Sequence, residues 1–188
     1  MSSLLIVPIG SHQAPALPAL ATHLQSIFRF NVTVAPAGTI DPGAAYNISR
    51  NQYYSTQLIL SMLEANPHHN GRLLGITSLD LYVPVLTYVF GEAQLDGRCA
   101  VISFHRLDEV FYGFPPNPRL LEERLHKEAI HELGHTFGLL HCESYECIMH
   151  SSTAVEEVDV RPIDFCTECG RVLKTRLEEG NRPGPAPF

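Results

Sequence analysis

The chain has 188 residues, enough for one domain or one domain with two lobes. With 45% hydrophobic and 18% charged residues it can bury a core, which argues against disorder. A net charge of −7 argues against nucleic acid or an anionic membrane as the main partner.

Residues 4–9 form an apolar run that reads as a buried strand. Residues 15–30 carry Leu17, Leu20, Leu24, Ile27 and Phe28 at helical spacing, and 31–35 make a short β-branched strand. The Gly-, Pro- and Asn-rich stretch 37–50 reads as a loop. A second helix is expected over 53–65, ended by Asn66-Pro67, and a strand over 73–82. Segments 88–94 and 99–104 flank Asp96-Gly97, a hairpin signal. Pro-rich 114–118 leads into a third helix over about 119–139. Residues 144–160 read as irregular, and 162–178 as a last helix with Pro162 in its first turn. The tail from 180 is rich in Pro and Gly. Early alternation followed by a hairpin predicts a mixed twisted sheet with flanking helices, an α/β (α+β) fold.

The first apolar run has no basic residue before it and is too short for a secretory signal. No stretch approaches the ~18 apolar residues of a membrane span. These features predict a cytoplasmic protein without membrane contact, and we expect a monomer. Five cysteines, an odd count, argue against a disulfide framework.

The chemistry is concentrated in residues 131–141, His-Glu-Leu-Gly-His-Thr-Phe-Gly-Leu-Leu-His. On a helix, His131 and His135 project from one face and can bind one zinc ion. Glu132, one step round, is placed to take a proton from water activated there. Gly138 can adopt a left-handed conformation, stop the helix and let His141 return as third ligand. Three protein ligands leave a fourth position for water, the catalytic pattern. A chance match to these five positions is on the order of 10⁻⁴. The competing account is a helix with incidental histidines.

Cys142-x₄-Cys147 and Cys166-x₂-Cys169 offer four thiolates in two close pairs, suited to a closed structural zinc site. The alternatives are a redox pair or free thiols. Together the two ligand sets predict two zinc ions.

The block from His131 to His141 resembles the extended zinc motif of the metzincin metalloproteases. With Cys142-x₄-Cys147-Ile148-Met149 and Cys166-x₂-Cys169 added, it closely resembles the archaemetzincin family. Residues 74–82 and 89–93 are also similar to that family. The resemblance implies a zincin-like architecture with a cleft between an N-terminal lobe of about 1–138 and a C-terminal lobe of about 139–180, within one catalytic domain and ahead of a tail over 181–188. It implies that Met149 is the Met-turn residue under the catalytic zinc; alone, Ile148-Met149 reads as core filler. It also suggests an edge strand above the active-site helix, where an extended peptide could pair along Tyr88, Val89, Phe90, Gly91, Glu92 and Ala93. Gly91 would there permit close approach.

The expected function is hydrolysis of a peptide bond by zinc-activated water with Glu132 as general base. The rivals are a non-proteolytic zinc-binding module and an amidase or aminopeptidase acting on small substrates. His12, His23, His68, His69, His105, His126 and His150 lack ligand spacing and are read as surface or capped histidines. Cys99 is read as a small strand hydrophobe, and Tyr145 as an ordinary loop residue that could otherwise lean toward an oxyanion.

Overall fold

The computed structural model describes residues 3–10 and 16–179. His12 and the tail over 181–188 lie outside the described residues. The elements run β1 (Ser3–Ile9), α1 (Leu17–Phe28), β2 (Asn31–Val34), β3 (Tyr46–Asn47), β4 (Gln52–Tyr54), α2 (Ser55–Ala65), β5 (Arg72–Thr77), β6 (Leu81–Tyr82), β7 (Gly91–Ala93), β8 (Cys99–Ser103), α3 (Pro118–Thr136), α4 (Val155–Val160) and α5 (Thr167–Glu178).

The main sheet has the order β2-β1-β5-β8-β7. Its first four strands are parallel, and β7 returns antiparallel on β8 at the edge. A small sheet, β3-β4-β6, lies beside it. β1, β5 and β8 are covered on both faces, so their sequences are mostly apolar, whereas the edge strand β2 is largely exposed. In β8, Ala100 and Ile102 join the core under α1 and α3, whereas Cys99 and Val101 join the core under α2. On α3, Leu125, Ala129, Ile130 and Leu133 are fully buried in the first of these cores. This is the mixed twisted sheet with flanking helices that the sequence pattern predicts.

Several boundaries differ from expectation for local reasons. The strand expected over 73–82 is two strands in different sheets. The chain leaves the main sheet after Thr77, whose hydroxyl accepts the Leu79 amide, and the Asp80 carbonyl then accepts the Tyr53 amide of β4. Tyr53 and Tyr54, expected in the second helix, belong to β4. The loop over 37–50 contains a 3-10 turn at Gly43–Ala45 and β3. The segment over 144–160, expected to be irregular, contains α4. The last helix begins at Thr167, not near Pro162, because the chain first places Cys166 beside Cys147.

Helix α3 is the platform of the site. Asn117 caps its N-terminus through the Leu120 amide, and Pro118 opens its first turn. It ends at Thr136, three residues earlier than expected, because Gly138 takes a left-handed φ of 82°. Buried Arg72 fixes that end: its Nε donates to the Thr136 hydroxyl at 2.7 Å and its guanidinium lies 3.6 Å over the Phe137 ring. The hairpin turn closes on the same end, with the Asp96 amide donating to the His135 carbonyl.

Candidate active site

The left-handed turn at Gly138 brings His141 back beside the helix, so that His131, His135 and His141 converge with one ring nitrogen each within 4.8 Å of the others. His131 is buried, His135 half-buried and His141 exposed. Their protonation follows from their partners. His131 Nδ1 lies 2.8 Å from the Ile148 carbonyl and His135 Nδ1 lies 2.7 Å from the Leu139 carbonyl. A carbonyl oxygen only accepts, so both Nδ1 atoms carry the proton. Both Nε2 atoms therefore present lone pairs, 3.1 Å apart. Two facing acceptors at that distance repel unless a cation sits between them. Zinc bonds of 2.0–2.1 Å in a tetrahedron would place the nitrogens about 3.3 Å apart, so the set fits zinc. A carbonyl on the far ring nitrogen is also the usual orienting partner of a metal-bound histidine.

Burial holds His131 well below the usual histidine range, and the nearby Arg161 charge adds to this. Burial also lowers His135 and His141. These shifts favour the neutral form, the form in which a histidine can take a metal. Glu132 moves the opposite way: burial first, then the neighbouring Glu128 carboxylate, raise it well above the usual carboxylate range.

Glu128 and Arg161 carry no recognised spacing, and sequence reasoning missed them. Glu128 lies one turn before Glu132 on α3, so its register was available as a signal. Arg161, just past α4, had none. Both are 3% exposed and form a buried ion pair. Arg161 also donates to the His150 carbonyl at 3.0 Å, and its Nη1 lies 3.1 Å from His131 Nδ1. Because that nitrogen already holds a proton for Ile148, the last contact is between two donors and is not a bond.

Met149 is buried under α3. A Cβ at Gly134 would come within 2.5 Å of its sulfur, so the glycine between the two helical histidines is what lets the methionine approach. The same logic changes the reading of Gly91. A Cβ there would meet the Glu132 side chain at 2.7 Å, so this glycine makes room for Glu132 itself.

A cleft of about 340 Å³ opens over Glu132, His131 and His141, between residues 86–91 on one side and 151–153 on the other. Of the six residues expected to meet a peptide, Tyr88, Val89, Phe90 and Gly91 line it; Glu92 and Ala93 do not. The Glu92 carboxylate is held by the Ser55 and Thr56 hydroxyls at the start of α2. Regular strand covers only Gly91–Ala93, and the Val89 amide is already taken by the Leu81 carbonyl. Phe90 and Gln94 bond to β8, so by antiparallel alternation the backbone of Gly91 and Ala93 faces the open edge.

The four sulfurs of Cys142, Cys147, Cys166 and Cys169 form a second cluster within 4.8 Å, and none is in a disulfide. Cys142 and Cys166 stand 3.9 Å apart, against about 3.8 Å for a tetrahedron of 2.3 Å zinc–sulfur bonds. The Cys166 amide donates to Cys147 Sγ, and the Cys169 amide brings the Cys166 thiol down to about 7. Elsewhere, Cys99 is fully buried and burial raises its thiol, as expected of a packed hydrophobe. Tyr145 is 80% exposed, with its ring 4.4 Å from that of His150. His23 and His126, which share no sequence spacing, face each other across α1 and α3 with Nδ1 atoms 3.1 Å apart.

The model of peptidase family M54 matches residues 42–175. The chain is 36% identical over 182 residues to the archaemetzincin of Pyrococcus furiosus, covering 94% of this chain and 95% of that protein. It is 44% identical over 135 residues to the archaemetzincin of Methanocaldococcus jannaschii, covering 72% and 73%. The crystal structure of archaemetzincin from Methanopyrus kandleri is similar at a TM-score of 0.81 and 35% identity, covering 94% of this chain and 96% of that one. The Archaeoglobus fulgidus archaemetzincin, crystallised with malonate, is similar at 0.77 and 36%, covering 90% and 99%. The chain belongs to peptidase family M54, the archaemetzincins, and is a zinc metallopeptidase.

Proposed function

We propose that His131, His135 and His141 hold the catalytic zinc and that Glu132 is the general base of peptide-bond hydrolysis. The observation that carries this reading is the pair of facing Nε2 lone pairs, each fixed by a carbonyl on the opposite ring nitrogen. Zinc bound there supplies a Lewis acid that acidifies water and polarises a carbonyl. Glu132 Oε1 or Oε2 takes the proton from the attacking water and returns it to the leaving amine. Burial raises this carboxyl above the usual carboxylate range, which strengthens it as a base once ionised. Gly91 and Ala93 offer open backbone groups on the edge of the sheet, and an extended peptide pairs with them above α3. Tyr88, Val89 and Phe90 line its path, and Glu92 ties the strand to α2.

In this reading Cys142, Cys147, Cys166 and Cys169 hold a second, structural zinc, for two per chain, and Met149 supports the histidine site from below. Four thiolate ligands stay available in a reducing compartment, which fits the cytoplasm. The lobes of about 1–138 and 139–180 act as one catalytic domain. The working unit in this reading is a monomer.

Glu132→Gln tests the central assignment. It keeps the shape of the side chain but cannot take the proton. The variant should fold, retain its zinc and lose about 10²- to 10⁴-fold in turnover on any peptide the parent cleaves. Parent-level turnover would remove Glu132 from the mechanism.

A further inference from the structure

The lip of the cleft continues into an apolar surface that the hydrolytic centre does not use. Leu86, on the lip, is 53% exposed. Next to it, Tyr88 lines the cleft, and the Arg106 guanidinium lies 4.2 Å from its ring centre. The same guanidinium lies 4.7 Å from the ring of Phe111. Phe111 stands edge-on to Tyr112 at 4.9 Å, and the Tyr112 hydroxyl donates to the Arg106 carbonyl at 3.0 Å. Arg106 cannot swing away, since Asp80 holds it through two hydrogen bonds of 2.6 and 2.7 Å. Phe111 and Tyr112 are nonetheless 41% and 40% exposed, and Val110 and Phe114 beside them are 52% and 60% exposed. Four large apolar side chains within five residues, left open to water, form the kind of patch that marks a binding surface.

We propose that Leu86, Phe111 and Tyr112 form an exosite that takes an apolar or aromatic side chain from the uncleaved flank of the substrate. This rests on the reading that the peptide runs along the cleft past Tyr88. Continuity with that cleft selects a substrate segment as the occupant. Through the shared guanidinium, the rings of Tyr88 and Phe111 are at most about 9 Å apart, which an extended chain covers in about three residues at 3.3 Å each.

The test uses fluorescent peptides that share one cleavable core and differ in a five-residue flank, carrying either Phe and Leu or only Ser and Thr. With the flank placed on either side of the core in turn, one placement of the apolar flank should lower KM by roughly tenfold over the polar flank, with kcat changed little. In Phe111→Ser/Tyr112→Ser that preference should fall to near parity, and Phe111→Ser alone should remove part of it. Binding of the same peptides to Glu132→Gln, followed by fluorescence anisotropy, gives a readout independent of turnover. A flank preference in binding, found while the parent enzyme cleaves none of these peptides, would keep the exosite and count against Glu132-based hydrolysis of them. Equal binding of both flanks in both placements, or an undiminished preference in the double variant, would overturn the exosite while leaving the hydrolytic centre untouched.

Discussion

Gly91→Ala adds a single methyl group, and the structure says where its effect should fall. The new Cβ would lie 2.7 Å from Glu132 Cγ, 2.7 Å from Oε1 and 2.8 Å from Cδ. Non-bonded carbon atoms settle at about 3.5–4.0 Å, so something must move by about 1 Å. Gly91 is held in the β7–β8 register, and α3 is packed through Leu125, Ala129 and Leu133. The softest response is displacement of the Glu132 side chain. Overpacking of this kind costs about 1–3 kcal/mol. A misplacement of about 1 Å at a reacting group can cost about 10²-fold in rate. We therefore expect Gly91→Ala to lose about 10²-fold in kcat, with modest change in KM, full zinc content and a small fall in Tm. The assay is steady-state kinetics on one peptide, with elemental analysis and thermal unfolding on the same preparation. Combining Gly91→Ala with Glu132→Gln should add little, because both act through one carboxylate. Near-parent kcat in a folded Gly91→Ala would refute the claim that Gly91 makes room for the base.

Other perturbations separate the remaining roles. His135→Ala should remove one zinc equivalent with limited loss of stability, whereas Cys166→Ser should remove the other with a large loss, because binding at a closed site is folding free energy; matched behaviour in elemental analysis and urea melts would refute the division. Arg161→Leu leaves the Glu128 carboxylate buried without a partner and should cost about 3–5 kcal/mol in urea unfolding, while Arg161→Leu/Glu128→Leu should recover much of it. Burial, then His23, hold His126 below the usual histidine value of 6.5, with Glu122 the opposing charge. The unfolded chain thus gains a proton there before the folded one, and stability contributed by neutral His126 is lost as pH falls below about 6.5, by up to about 1.4 kcal/mol per pH unit. His126→Gln should flatten the fall in Tm between pH 7.5 and 5.5; an unchanged slope would refute it.

What the sequence disclosed depended on how local each determinant is. The two helical histidines and Glu132 are read from helical periodicity alone, and the left-handed stop at Gly138 from the absence of a side chain. The central strands β1, β5 and β8 were legible because they are buried on both faces and so are mostly apolar runs. The break after Thr77 was not, because the run continues through Leu79 and Leu81 while the polar contacts that divert it come from β4 and β8. Arg161 lies 30 residues from His131, and no pattern in its own neighbourhood announces a buried guanidinium. Gly91 was legible as a point of close approach, but what approaches it is fixed only by packing of β7 on α3.

The turn after α3 also explains why both ligand sets crowd into one stretch of chain. His141 and Cys142 are neighbours, so the third histidine has little backbone support of its own. That support comes from the far end of the loop. The Cys142 amide donates to the Met149 carbonyl at 2.9 Å, and the Cys142 carbonyl contacts His150 Nδ1 at 2.8 Å. Residues 142–150 are thereby closed into a ring whose two ends meet beneath α3. The Ile148 carbonyl in that ring orients His131, and Met149 fills the space left by Gly134. The cysteine cluster joins Cys142 and Cys147 of the ring to Cys166 and Cys169 at the start of α5, and the zinc proposed there would fasten the two together. That zinc would then act on the histidine site at a distance, by holding still the segment that carries His141 and the carbonyl that fixes the His131 tautomer. In the proposed reading, a closed zinc site of four cysteines would hold that loop directly beside the most exposed of the three histidines.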